Sequence, residues 1–326
     1  MQVIVVTAFI LVGLAGALAL YSAYGVWRTE RHYPPLGRFL EVDGIRLHFV
    51  EAGVGPPIVL LHGANTTLRD FAASILPLLA RHHRVIAFDR PGYGYSERPS
   101  GAWPDPARQA DILRRALALL GIERPILVGH SWSGAMVLAY LLDHAEHASA
   151  GVLLAGASHP WTGGVAWTRR VAGIPIVGEL FARTIVYPVG RLLLRRVVAE
   201  VFAPDPVTPR YLERTGVVLA LRPRSFLVDA QDVRELSEYL RRQSRRYHQI
   251  HLPLLLITGD ADDVVPPWNH AKRLIEQAPY ADLVVLDKAG HALHHSRPKD
   301  VADLIRAFAP ETGHDGLGIP QHAENQ

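Results

Sequence analysis

The sequence predicts an α/β protein with a mostly parallel sheet covered by helices on both faces, and three observations carry that prediction. Short, fully apolar runs, the mark of strands buried on both faces, alternate with stretches of helical spacing through residues 38–157 and again through 251–310. One such run, Ile126 to Val128, passes straight into Gly129-His130-Ser131-Trp132-Ser133-Gly134 and then into a helix-prone stretch, Ala135 to Leu142. Strand, abrupt turn and helix follow one another there with no polar loop between them. The alternation breaks once, over residues 158–250, where seven prolines and three basic runs mark an inserted block of short helices, a cap over the sheet.

In chain order, Phe39–Val42 and Ile45–Glu51 flank Asp43-Gly44, a two-residue hairpin signal, so two antiparallel strands come first. Ile58–Leu61 and Val85–Phe88 are buried strands, separated by a helical stretch over 69–81 that Pro77 must kink or divide. Residues 106–120 have helical spacing and end at Gly121. Val152–Leu154, Leu254–Thr258 and Leu283–Leu286 complete the strands, with helices expected over 269–277 and 299–308. After Pro310 the chain turns polar, and 311–326 reads as a flexible tail.

Composition sets further bounds. At 326 residues, 49% hydrophobic and 20% charged, the chain is long enough for one large domain with an insertion and lies outside the disordered class. The lack of cysteine removes disulfides, thiol nucleophiles and cysteine metal sites. A net charge of only +3 argues against a nucleic-acid partner.

The first 27 residues are a different material. Val3 to Trp27 carries no side chain charged at neutral pH, and at ~1.5 Å per residue it is about 37 Å long, enough to cross a ~30 Å hydrocarbon core with some tilt. Tyr21, Tyr24 and Trp27, then Arg28 and Arg31, have the order of an interfacial belt followed by basic anchors. Residues 1–27 are therefore expected to be a transmembrane anchor joined by a linker, 28–37, to the remainder. The competing reading is a cleaved signal, because Ala17-Leu18-Ala19 has the form of a cleavage site; the missing basic n-region and the length of the run count against it. The arginines after the segment place the bulk of the chain in the cytoplasm by the positive-inside bias.

A serine hydroxyl attacks only when a base takes its proton, and that base must be oriented by a third group. Ser131 stands at the apex of the turn after Val128, where close passage of strand and helix requires small residues on either side. Ser133 occupies the position expected of a second glycine and Gly134 comes one residue late, so a register with Ser133 as nucleophile is the alternative. Asp260, Asp262 and Asp263 lie in the loop after Leu254–Thr258, and His291 lies in the loop after Leu283–Leu286. Each group follows the end of a strand, where side chains from different strands converge.

His62-Gly63, Asp89-Arg90-Pro91-Gly92-Tyr93-Gly94-Tyr95-Ser96, the turn at Ser131, the Gly259–Pro266 loop and Gly290-His291 occur in one order. With them, residues 38–308 resemble the α/β-hydrolase superfamily. The resemblance implies an eight-stranded sheet, Ser131 as nucleophile, His291 as general base and acid, and Asp262 rather than Asp260 or Asp263 as the orienting acid. It also implies an oxyanion hole made by the backbone N–H groups of Ala64 and Trp132, with the Asn65 amide as a further donor, and no metal or cofactor. Relatives that open epoxides or displace halide carry Asp at the turn, and Ser131 points away from those reactions.

Other motifs have plainer readings. His62 and His130 are expected to support loop geometry. His294 and His295 have no Asp or Glu on their own face, so they are expected to be solvated or to line the substrate pocket, not to bind metal. His82, His83, His144 and His147 read as surface residues at helix ends, and Gly92-x-Gly94 lacks the third glycine of a dinucleotide loop. Arg191, Arg195 and Arg196 alternate with Leu192–Leu194 and Val197–Val198, a basic amphipathic stretch that is either a solvated cap face or a lipid-contacting one. The expected activity is hydrolysis of a carboxylic ester with an apolar part through an acyl-enzyme. Carbon–carbon bond hydrolysis of a dienoate ketone, or cofactor-free peracid formation, is the alternative on the same triad, and a ligand-binding protein without turnover is the alternative of another class.

Overall fold

The computed structural model describes residues 2–309; the expected tail, 311–326, lies outside the described residues. Strands β1 (Arg38–Val42), β2 (Ile45–Ala52), β3 (Pro57–Leu61), β4 (Arg84–Phe88), β5 (Ile126–His130), β6 (Ala150–Leu154), β7 (Leu254–Gly259) and β8 (Ala281–Leu286) form one sheet in the order β1-β2-β4-β3-β5-β6-β7-β8. β1 and β2 are antiparallel, joined by the Asp43-Gly44 turn with both residues at positive φ, and β2 is antiparallel to β4. Every other pairing is parallel. The parallel strands therefore all deliver their carboxyl ends to one edge.

Alternation along the strands divides the interior into two cores. Val59, Leu61 and Leu127 face one side, while Ile58, Leu60, Ile126 and Val128 face the other. β8 is only half-buried, because it closes the edge of the sheet.

Helix α1 (Gln2–His32) precedes the sheet, so the expected linker is helical as far as His32. α2 (Arg69–Ala72) and α3 (Leu76–Leu79) are the two pieces of the stretch expected over 69–81, with Pro77 in the first turn of α3, where a missing N–H costs no hydrogen bond. α4 (Pro106–Leu119) starts at Asp105, whose carboxylate accepts the Arg108 N–H at 2.8 Å. α4 and α5 (Ser133–Asp143) pack into the first core, and α2 and α3 into the second.

Residues 158–250 contain helices and no strand: α6 (Trp167–Ala172), α7 (Val177–Phe181), a π-turn over Ala182–Val186, α8 (Tyr187–Phe202), α9 (Tyr211–Thr215) and α10 (Pro223–Gln243). Val198, Phe202, Tyr211 and Val217 make a small core of their own that meets Ala292 of the following segment. α11 (Ala271–Ile275), α12 (Leu293–Ser296) and α13 (Pro298–Phe308) complete the chain, α13 joining α2 and α3 in the second core.

The two halves of α1 differ. Over its apolar part the mean hydropathy reaches 2.8 and nothing in that window is buried, so the helix is long and apolar enough to cross a membrane. From Ser22 onward it docks on the cap. Ser22, Gly25 and Thr29 are buried, the Tyr187 hydroxyl donates to the Gly25 carbonyl at 2.8 Å and meets the Thr29 hydroxyl at 2.9 Å, and Glu30 pairs with Arg222 at 3.1 Å.

Candidate active site

Ser131 sits between β5 and α5 with φ 53°, a left-handed conformation that a serine adopts at a cost and that turns its side chain out of the sheet. The neighbouring glycines are needed for approach. A Cβ on Gly129 would lie 2.6 Å from the Ser133 carbonyl oxygen, and one on Gly134 would lie 2.8 Å from the Gly156 Cα. Ser133 fits where a second glycine was expected because its hydroxyl donates to the His62 carbonyl at 2.5 Å. It is wholly buried there, whereas Ser131 borders open space.

Two cavities, of about 630 and about 600 Å³, both reach Ser131 and Ala64. Trp132 borders the first, which lies against Trp161, Leu236 and Pro266; His291 borders the second, which runs under α8. Across the sheet edge, His291 Nδ1 lies 2.8 Å from Asp262 Oδ2, and both side chains are buried. Asp262 Oδ1 accepts the N–H groups of Val264 at 2.8 Å and Val265 at 2.9 Å, which fixes the carboxylate. Asp260 and Asp263, its rivals in the sequence, are exposed. Among the described residues, the N–H groups of Ala64 and Trp132 have no partner in a loop or side chain.

The loops carrying these groups are braced by neutral histidines. His62 Nε2 accepts the Arg90 N–H at 3.0 Å, so its Nδ1 bears the proton and donates to the Gly63 carbonyl at 2.8 Å. Burial and the Arg90 guanidinium push the His62 pKa down to about 4. His130 Nε2 donates to the His291 carbonyl at 3.2 Å, and burial together with His294 and His291 holds His130 well below the usual imidazole range. The Arg90 guanidinium stacks 3.9 Å from the Trp132 ring and pairs with Asp232 of α10 at 3.0 Å, while the Trp132 indole donates to the Asp232 carbonyl at 3.0 Å. The cap thus grips the residue that follows Ser131.

Several expectations are corrected. His294 and His295 are neither solvated nor without an acid: their Nε2 atoms each lie 2.8 Å from an oxygen of Asp70, contributed by α2, and all three groups are buried. Burial alone would raise the Asp70 pKa, but His294 and His295 outweigh it and keep the carboxyl well below its usual range. These groups also border the second cavity, so the pocket-lining half of the expectation stands. The Asn65 amide is already engaged: in its hydrogen-bonded orientation it donates to Asp229 Oδ2 at 3.1 Å and accepts from Arg169 at 2.9 Å. His83 is buried, not a surface residue. Gly94 has φ 51°, and the Asp89 carboxylate occupies the space of a Cβ there.

The sequence of residues 56–298 matches the family model described as alpha/beta hydrolase fold. The chain belongs to the α/β-hydrolase family. This hydrolase is 28% identical over 289 residues to 2-hydroxymuconate semialdehyde hydrolase of Pseudomonas sp. (strain CF600), covering 87% of the chain and 97% of that protein. It is 29% identical over 288 residues to haloalkane dehalogenase 2 of Mycobacterium bovis, covering 84% of the chain and 94% of that protein. The solved structure of a meta-cleavage product hydrolase from Pseudomonas fluorescens superposes with a TM-score of 0.69 at 20% identity, covering 83% of this hydrolase and 97% of that chain. The eight-stranded, mostly parallel sheet is the architecture of the family.

Proposed function

We propose that this hydrolase cleaves a carboxylic ester with an apolar part, using Ser131, His291 and Asp262. The observation that carries the reading is the placement of Ser131: a strained serine at the junction of two cavities, with the buried His291–Asp262 pair at the same sheet edge. In the first step Ser131 Oγ bonds to the ester carbonyl carbon while His291 Nε2 takes its proton, and Asp262 at Nδ1 stabilises the imidazolium. The carbonyl oxygen, now an oxyanion, receives the N–H groups of Ala64 and Trp132. Collapse breaks the carbon–oxygen bond, His291 returns the proton to the leaving alcohol, and water, deprotonated by His291, hydrolyses the acyl-enzyme. Two cavities meeting at one serine suit a substrate with two arms, one for the acyl chain and one for the alcohol. The apolar α1 is read, in the same proposal, as a bilayer anchor.

The 28% identity to 2-hydroxymuconate semialdehyde hydrolase favours a second reading on the same residues, hydrolysis of a carbon–carbon bond beside a ketone. A fluorophosphonate probe on wild type and Ser131→Ala, followed by parallel assays with esters of increasing acyl length and a dienoate ketone, separates the readings. Labelling lost in Ser131→Ala with turnover of esters alone supports the first, and turnover of the dienoate alone supports the second. No labelling of folded wild type sinks both.

A further inference from the structure

The outer face of the cap is unusually apolar for a surface in water. Ile176 is 85% exposed and Leu192 83%, with Leu180 and Trp167 also more than half exposed. Ile176 stands in addition at φ 65°, a conformation costly for a β-branched residue, so strain and exposure fall on one side chain. A patch of this kind marks an interaction surface.

What covers it follows from continuity with α1. Bare apolar helix ends near Leu20, and from Ser22 the same helix packs on Tyr187, the first residue of α8. Counting from Val3, that bare length is about 27 Å at ~1.5 Å per residue, close to one hydrocarbon core. The edge of a bilayer holding α1 therefore falls at the level of the cap. Tyr21, Tyr24 and Trp27 stand exposed along α1 from that point, followed by exposed Arg28 and Arg31, and Arg195 and Arg196 of α8 are exposed as well, a set that suits anionic headgroups.

The patch is also a doorway. Trp167, Val189, Leu193 and Val197 are each more than 40% exposed, and each borders the cavity that runs to Ser131 and His291. We infer that α7 and α8 dip into the headgroup region of the anionic bilayer that holds α1, and that an apolar substrate enters the second cavity from the lipid phase. The inference rests on the reading of α1 as an anchor. It names the substrate class as an ester dissolved in the bilayer, delivered sideways from the membrane and not through water.

The absence of cysteine makes the test clean. Full-length protein carrying Ile176→Cys or Leu192→Cys is labelled with bimane and reconstituted in vesicles of equal parts phosphatidylcholine and phosphatidylglycerol with nitroxide-bearing acyl chains. Leu11→Cys within α1 reports the anchor, and Val54→Cys, at the opposite end of the strands, reports the aqueous side. Loss of bimane intensity at 176 and 192 as well as 11, with none at 54, is the expected result. Quenching at 11 alone overturns the inference and leaves the anchor standing; quenching at none overturns both. In the same vesicles, Ile176→Glu with Leu192→Glu should lower hydrolysis of an embedded long-chain ester at least about tenfold while leaving a short soluble ester unchanged. Equal rates on the embedded ester would also overturn it. The quenching arm decides whether or not the protein turns over any ester.

Discussion

Asp229, in α10 of the cap, accepts the backbone N–H of Asn65 at 2.7 Å, and Asn65 directly follows Ala64 in the loop after β3. Asn65 itself holds φ 55°, so the loop keeps a conformation that costs energy wherever it is not tied down. The second oxygen of Asp229 accepts from Arg169 at 3.1 Å, and Arg169 borders both cavities. Through these contacts a residue of the cap, itself at the border of the second cavity, ties down the loop immediately after Ala64.

Asp229→Asn should therefore lower kcat by roughly 10- to 100-fold, the scale of a misplaced oxyanion donor, with a much smaller change in KM. Steady-state kinetics on the best ester, together with the rate of fluorophosphonate labelling, measure it. A variant that changes KM alone would show that Asp229 shapes the pocket and not the oxyanion loop.

The two serines of the turn should separate cleanly. Ser131→Ala removes the proposed nucleophile and should leave no labelling. Ser133→Ala removes only the hydrogen bond to the His62 carbonyl, and should cost about 1 kcal/mol of stability while retaining most turnover. Equal loss from both, measured at matched folded fraction, would reopen the choice of nucleophile.

What the sequence makes legible here is local, and what it hides is long-range. β5, the abrupt turn and α5 follow one another within a few residues, so apolar runs and glycine spacing are enough to expose the turn at Ser131. The His291 loop is visible for the same reason, since it follows a strand. The three aspartates after β7 cannot be ranked by type; burial and two backbone N–H donors distinguish Asp262 from its exposed neighbours. His294 and Asp70 are 224 residues apart, and Asn65 and Asp229 are 164 apart. Nothing in periodicity reports such pairs, because they exist only once the cap and α2 have packed.

Acid should destabilise the fold in two stages. Burial, with nearby charge secondary, lowers the pKa of His62, His159 and His270 from the usual 6.5 to about 4, and holds that of His130 well below its usual range. The unfolded chain protonates these imidazoles near pH 6.5 and the folded chain does not, so between about pH 6.5 and 4 the unfolded state binds more protons and stability falls as pH falls. Their full contribution is present above that window. Asp70, depressed in the fold, adds stability above about pH 4 that is lost only at lower pH, as its carboxyl protonates. Urea midpoints at pH 7, 6 and 5 should decline steadily, and a flat series would show that the buried histidines titrate normally.

Asp70 is the keystone of a buried polar cluster, since its two oxygens accept from the Nε2 groups of both His294 and His295. Burial pushes the His294 pKa down, and its Nδ1 has no hydrogen-bond partner among the described residues. Asp70→Ala would leave two buried donors unsatisfied as well, at a cost of about 3 kcal/mol or more. The His294 ring packs 4.4 Å from His130, whose Nε2 holds the His291 carbonyl, so the loss should reach the His291 loop. The expected result is a lowered urea midpoint together with slower fluorophosphonate labelling at temperatures where the variant remains folded. A variant that labels at the wild-type rate while unfolding earlier would confine Asp70 to stability and separate the cluster from the orientation of His291.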